Sequence, residues 1–231
     1  MQESVIDFSD LPDRIFINLT HSRQRYDWDC GISCVLMVLK ERDRESFSND
    51  FLAICKGEGF HKSTWTIDLC YLLHRYNVYH SFFTVTMGIH PGYHSNPFYN
   101  KVLAKDEERV NNRFSEAKMY GIDVYKRSVD MLMILEHLQK GPIIVLTNAR
   151  LLTCDLCKLN KVSLELRQCF PWPTTYQGHY IILCGFHKPK QKIYYRNPSF
   201  YNRVCVMSLN VLDDARKAYG TDEDIILINY N

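Results

Sequence analysis

Apolar residues recur at helical spacing in the first half of the chain and alternate or run together in the second. After an extended start around Ile15 to Leu19, Asp29 precedes CGISCVLMVLK, where Ile32, Val35, Leu36 and Leu39 share one helical face. The pattern predicts a buried helix beginning near Cys30. Ser48 or Asn49 caps a short helix through Ile54, and Thr64 or Thr66 caps another carrying Ile67, Leu69, Leu72 and Leu73 and closing before Asn77. Val78 to Thr86, rich in β-branched and aromatic residues, reads as a strand or an extended crossing segment. The charged stretch from Pro97 to Tyr120 predicts an exposed helix ended by Gly121, and Ser128 a cap for VDMLMILEHLQK, ended by Gly141. From Pro142 the period changes to that of strands: PIIVLTNA, GHYIILCGF, KIYYRNPS after a turn at His187 to Gln191, RVCVMS, and DIILINY after a helix from about Leu209 to Tyr219. Helices first and a mostly antiparallel sheet second predict an α+β fold.

Composition narrows the class. The 231 residues are 46% hydrophobic and 23% charged, ordinary values for an ordered chain with a sizeable core. No repeat or linker divides them, so one domain over 1–231 is expected, with residues 1–14 as a poorly ordered extension. No apolar run reaches the roughly 18 to 20 residues that span a bilayer. The acidic start MQESVIDFSDLPDR lacks a basic, then apolar, secretory leader. A cytoplasmic protein with no membrane partner is the expectation. The net charge of +2, without basic blocks, argues against nucleic acid as a partner. Nine cysteines, an odd number in a chain this long, read as reduced thiols.

Cys30 differs from the rest through its place at a helix start, where backbone N–H groups favour a thiolate. His179, on the strand GHYIILCGF, is the candidate base. Asn197, across a short turn on YYRNPS, is placed to accept from the opposite ring nitrogen; it is equally well a turn initiator before Pro198. Gln24, six residues before Cys30, is the candidate donor to an oxyanion.

Gln24 through Asp29-Cys30-Gly31, the apolar helix after it, Gly178-His179-Tyr180 on a strand and Asn197-Pro198 together resemble the papain-like C39 peptidase superfamily. Tyr26-Asp27-Trp28-Asp29-Cys30-Gly31 and its flanks resemble more closely the guanylyl cyclase domain-containing proteins. The resemblance runs from about Thr20 to the C-terminus. It implies a papain-like fold, N-terminal helices packed on the sheet, with Cys30 as nucleophile, His179 as base, Asn197 as orienter and Gln24 as oxyanion donor. It departs at Asn197, where C39-type members carry Asp, and a neutral amide stabilises an imidazolium less than a carboxylate does. The reaction so implied is hydrolysis of a peptide or isopeptide bond in a peptide or protein substrate, without a cofactor.

Two alternatives use the same resemblance: an inactive papain-like module that binds a protein partner, and a guanylyl cyclase making cyclic GMP from GTP, as the family name implies. Cyclase chemistry needs a triphosphate cradle and carboxylates for divalent ions. No G-x4-G-K-[ST] loop is present, and Lys56-Gly57-Glu58-Gly59 reads as a helix-ending turn. Asp213-Asp214 and Asp222-Glu223-Asp224 read as exposed caps and turns. Cys154-Asp155-Leu156-Cys157 with Cys169 is a partial zinc signature, but a second close pair is missing. These cysteines therefore read as loop thiols and no metal is expected. Cys34, Cys55, Cys70, Cys184 and Cys205 read as core.

Overall fold

Runs such as PIIVLTNA and DIILINY carry apolar residues at successive positions, which suits strands covered on both faces. The computed structural model describes residues 8–60, 62–95, 97–157 and 176–230, and in it eight strands form one sheet. They are β1 (Arg14–Phe16), β2 (His80–Thr84), β3 (Asp123–Lys126), β4 (Ile143–Asn148), β5 (Gly178–His187), β6 (Lys192–Arg196), β7 (Cys205–Ser208) and β8 (Ile225–Ile228). The helices are α1 (Cys30–Val38), α2 (Glu41–Asn49), α3 (Phe51–Gly57), α4 (Thr66–Arg75), α5 (Pro97–Glu116), α6 (Met131–His137) and α7 (Leu209–Arg216). The strand order is β3-β2-β8-β4-β5-β6-β7, and β1 runs beside the second half of β5 where β4 has ended. All pairs are antiparallel except β2 with β3.

Strand alternation sorts the core into two layers. Ile144, Leu146, Tyr180, Ile182, Cys184, Ile226 and Ile228 face a cluster built with α1 and α4. Ile143, Val145, Ile181, Leu183, Ile225 and Leu227 face another that contains residues of α6 and α7. The mixed α and β content matches expectation, but helices cover both faces of the sheet instead of one. Among the described residues no helix is long and apolar enough to cross a membrane.

All nine residues of α1 are buried, and the helix lies against β5. Gly31 permits that approach: a Cβ there would stand 2.8 Å from Leu69 Cδ1 and 2.9 Å from Tyr180 Cδ2. Several local expectations need correction. α2 was missed because only Phe47 of its nine residues is buried, which leaves no apolar stripe to read. α6 is capped by Asp130, whose side chain accepts from Met133 N at 2.8 Å, while Ser128 donates to Glu223. Residues 8–13 are not loose. Leu11 is in the core, and Lys188 Nζ donates to the carbonyls of Phe8, Ser9 and Leu11. Residue 14 already begins β1; residues 1–7 lie outside the described residues.

Candidate active site

The loop ahead of α1 is shaped by Asp29. Its carboxylate makes no cap to its own helix and instead accepts from Arg25 N and Tyr26 N, each at 3.0 Å, folding 25–28 over the helix start. The same carboxylate is buried beside Cys30. Burial, with the Asp29 charge adding to it, pushes the Cys30 thiol up to about 11. The N–H groups of Tyr180 and Gly31 offset this only in part. At this sulfur the helix terminus and burial therefore act in opposite directions.

His179 and Asn197 do meet: His179 Nε2 and Asn197 Oδ1 are 2.9 Å apart, and burial lowers the pKa of the imidazole, which the Asn197 hydrogen bond offsets in part. Asn197 Oδ1 also accepts from Ser199 N at 2.9 Å, so the side chain both orients the ring and closes the turn. Gln24 is bound to that turn: Gln24 N donates to Pro198 O at 3.0 Å and Gln24 Oε1 accepts from Ser199 Oγ at 2.8 Å. Its Nε2 is spent on Tyr26 O at 2.7 Å, not offered to an oxyanion. Among the described residues no hydrogen bond joins the Cys30 sulfur to His179.

Cys30 opens onto a cavity of about 330 Å³ that takes in Gly178 and Tyr180 from β5 but not His179, Asn197 or Gln24. Its walls are aromatic: Trp65 stacks on Tyr99 with centroids 5.0 Å apart, and Tyr99 on Tyr176 at 5.5 Å, with Trp28 opening the rim. Its floor is polar. Thr66 Oγ1 donates to Asp224 and lies 2.8 Å from Tyr180 Oη, which ties the starts of α4 and β8 to β5. Thr86 Oγ1 donates to Asp222 Oδ1 at 2.8 Å, and Tyr93 also hydrogen-bonds this carboxylate. Asp224 Oδ1 is buried and makes no hydrogen bond in this arrangement: the neighbouring Thr84 hydroxyl, which is close enough to this carboxyl to lower its pKa, donates instead to Thr86 O at 3.0 Å. Burial raises the pKa of both carboxyls, and the Asp222 charge raises Asp224 further.

Asp222 and Asp224 thus correct the expectation of an exposed turn. Residues 222 and 223 do turn the chain, both with left-handed φ (50° and 52°), a costly geometry for residues with side chains. That turn brings the carboxylates onto the cavity. The legible signal was an acidic run directly before a wholly apolar strand. Lys56-Gly57-Glu58-Gly59 does end a helix, with Gly59 at φ 74°. Of the cysteines read as a partial zinc signature, Cys154 and Cys157 are buried together with Cys205, and Cys169 lies outside the described residues.

Residues 19–228 match the family model for guanylylate cyclase. Guanylyl cyclase 1 of Arabidopsis thaliana is 35% identical over 223 residues, a span covering 95% of this chain and 78% of that protein.

Proposed function

Because the chain belongs to the guanylylate cyclase family, we propose that it converts GTP to cyclic GMP and pyrophosphate in the cavity beside Cys30. The observation that carries this placement is the pair Asp222 and Asp224, with the buried Asp224 Oδ1 lacking a donor. A carboxylate oxygen left unpaired in a dry site is costly, and a divalent cation is the partner its chemistry suits. The cavity's remaining charge agrees: Asp27 and Lys62 at the rim cancel, so a triphosphate would meet two further acids. Asp222 and Asp224 would hold the cation, which supplies positive charge to the phosphate oxygens when bound.

The chain's own residues do the rest. Trp28 and Trp65 give the base aromatic surface at the cavity, while Tyr99, stacked on Tyr93 at 4.2 Å as well as on Trp65 and Tyr176, backs that wall. Asp27, the acid lining the cavity apart from Asp222 and Asp224, would be the acceptor for the N1–H and N2–H groups that guanine has and adenine lacks. The ribose 3′-oxygen bonds to the α-phosphorus as the bond to the bridging β-phosphate oxygen breaks. Pyrophosphate leaves, and the hydroxyl proton goes to solvent, since Asp222 and Asp224 are both committed to the cation. Cys30 is wall, not reactant. The test is product analysis with GTP and Mn²⁺ or Mg²⁺. Cyclic GMP from the wild type and from Cys30→Ala, with a loss of about 10²-fold or more in Asp224→Asn, is the expected pattern. No cyclic GMP, or an unchanged rate in Asp224→Asn, would sink it.

A second reading rests on the His179–Asn197 hydrogen bond, the arrangement that orients an imidazole in papain-like enzymes. In it the fold is papain-like, Cys30 attacks a peptide or isopeptide carbonyl, His179 moves the proton to the leaving amine, Asn197 holds the ring and Gln24 would have to turn from Tyr26 to the oxyanion. The raised Cys30 thiol counts against it.

A further inference from the structure

On the sheet face opposite the cavity, three cysteines from distant parts of the sequence converge. Cys154 and Cys157 follow β4, and Cys205 is the first residue of β7. Their sulfurs all lie within 4.8 Å of one another, and all three residues are buried in the apolar layer that carries α6 and α7. The backbone arranges this. Cys157 N donates to Cys154 O at 3.1 Å, closing a tight turn over Asp155 and Leu156, and Asp155 N donates to Val206 O at 2.8 Å, fastening that turn to β7. The N–H groups of Leu156 and Val206 lie toward the Cys154 sulfur. An ion pair of 2.8 Å between Lys192 and Asp155 braces the turn from outside.

Three convergent sulfurs exceed what a disulfide uses, and packing alone does not call for amide donors aimed at a thiol. We propose that Cys154, Cys157 and Cys205 form a zinc site that staples the segment after β4 to β7. Thiolates select a soft d¹⁰ ion, and Zn–S bonds of about 2.3 Å would set the sulfurs about 3.8 Å apart, a contraction of about 1 Å at most from the present separation. Binding forms three Zn–S bonds and releases three thiol protons to solvent. The ion and three thiolates carry one net negative charge, which Arg203, whose field reaches Cys157 and Cys205, offsets. Among the described residues three ligands converge, and the fourth tetrahedral position is not supplied by them.

The full chain, purified without added metal or chelator, is assayed by elemental analysis. About one zinc per chain is expected, lost in Cys154→Ser and in Cys205→Ser and kept in Cys70→Ala, whose thiol lies in the other core layer. Replacing zinc with Co²⁺ should give an intense near-ultraviolet thiolate-to-metal band in the wild type and Cys70→Ala alone. Native thiol titration should gain three reactive groups when a strong chelator is added, a readout that needs no variant to fold. No zinc, no gain of thiols on chelation, or an intact mass lighter by two hydrogens with Cys154 joined to Cys157 would each overturn the site.

Discussion

Two influences meet at the Cys30 sulfur: backbone N–H groups at the start of α1 that favour a thiolate, and burial beside the Asp29 carboxylate that opposes one. Burial wins. A thiol near 11 is about 0.1% thiolate at pH 8, so iodoacetamide on the native protein should modify Cys30 no faster than the other buried cysteines, with its rate climbing toward pH 11. Mass spectrometry of tryptic peptides reads this directly, and selective labelling of Cys30 that vanishes in His179→Ala would instead favour the hydrolase. Asp224 carries the opposite kind of shift. Its carboxyl binds a proton more tightly folded than unfolded, so its contribution is favourable at low pH and is lost as pH rises above the unfolded value of 3.8 through the raised folded one. Asp224→Asn should therefore gain thermal stability relative to the wild type as pH rises, and Mn²⁺ should narrow that gap by stabilising the wild type alone. A melting difference flat from pH 4 to 8 would show that the carboxyl is not perturbed. The sequence made Cys30 stand out because helix starts have a local signature. Cys205 had none, and Asp224 only its place in an acidic run before an apolar strand, since what distinguishes both is burial by β2, α4 and the 154–157 turn, which lie far along the chain.

The cavity's shape depends on how α5 is held, because α5 contributes Phe98, Tyr99 and Val102 to its wall. α5 reads as a charged helix, and its inward charges explain its position. Arg109 and Arg113 both reach Asp68 of α4, the latter at 2.6 Å, while Arg113 also pairs with Glu58 at 2.7 Å and Arg109 with Asp106 at 2.9 Å. Asp68 is fully buried and accepts from Trp65 N at 2.9 Å, so one carboxylate closes the first turn of α4 and anchors α5. Asp68→Ala would leave two mostly buried guanidiniums short of a partner, and urea unfolding should show a loss of about 3–5 kcal/mol. A loss under about 1 kcal/mol would mean that solvent takes up those charges. Gly31→Ala tests the other wall: a methyl pressed between Leu69 and Tyr180 must move α1 or β5, at a cost of about 1–3 kcal/mol. Elements that carry a dense apolar run or stripe were legible, as α1, α4, β4, β5 and β8 show. β3 was not, because its DVYK is exposed or half-exposed and is made a strand only by pairing with β2.

Over the whole molecule, the change from helical to strand period at Pro142 suggests a helical half followed by a sheet half, but the sheet crosses that boundary. β2 and β3 come from the helical half and join the rest only through β8, the last strand in the chain, which pairs with β2 on one side and β4 on the other. Phe82 and Ile144 stand opposite Ile226 in one core layer and Ile143 opposite Leu227 in the other, so the terminal strand joins both layers, and Asp224 directly precedes it. The strand was visible in the run DIILINY; its central place was not, since Ile226 pairs with Ile144 and Phe82, too far along the chain to leave a mark in a local pattern. Chain ends ordinarily exchange amide hydrogens fastest, whereas a central strand opens only when the whole sheet does. In hydrogen exchange, the amides of Ile225 to Ile228 should therefore be among the slowest in the protein and share the denaturant dependence of β5. Those of β1, which lies off the main strand path, should open earlier. Deleting residues 224–231 should then abolish cooperative unfolding rather than trim a tail, read as loss of the sigmoidal melt by circular dichroism. A truncated chain that still melts sharply would mean that β4 to β7 close without their neighbour, and that the carboxylates of β8 sit on a flap instead of the floor of the site.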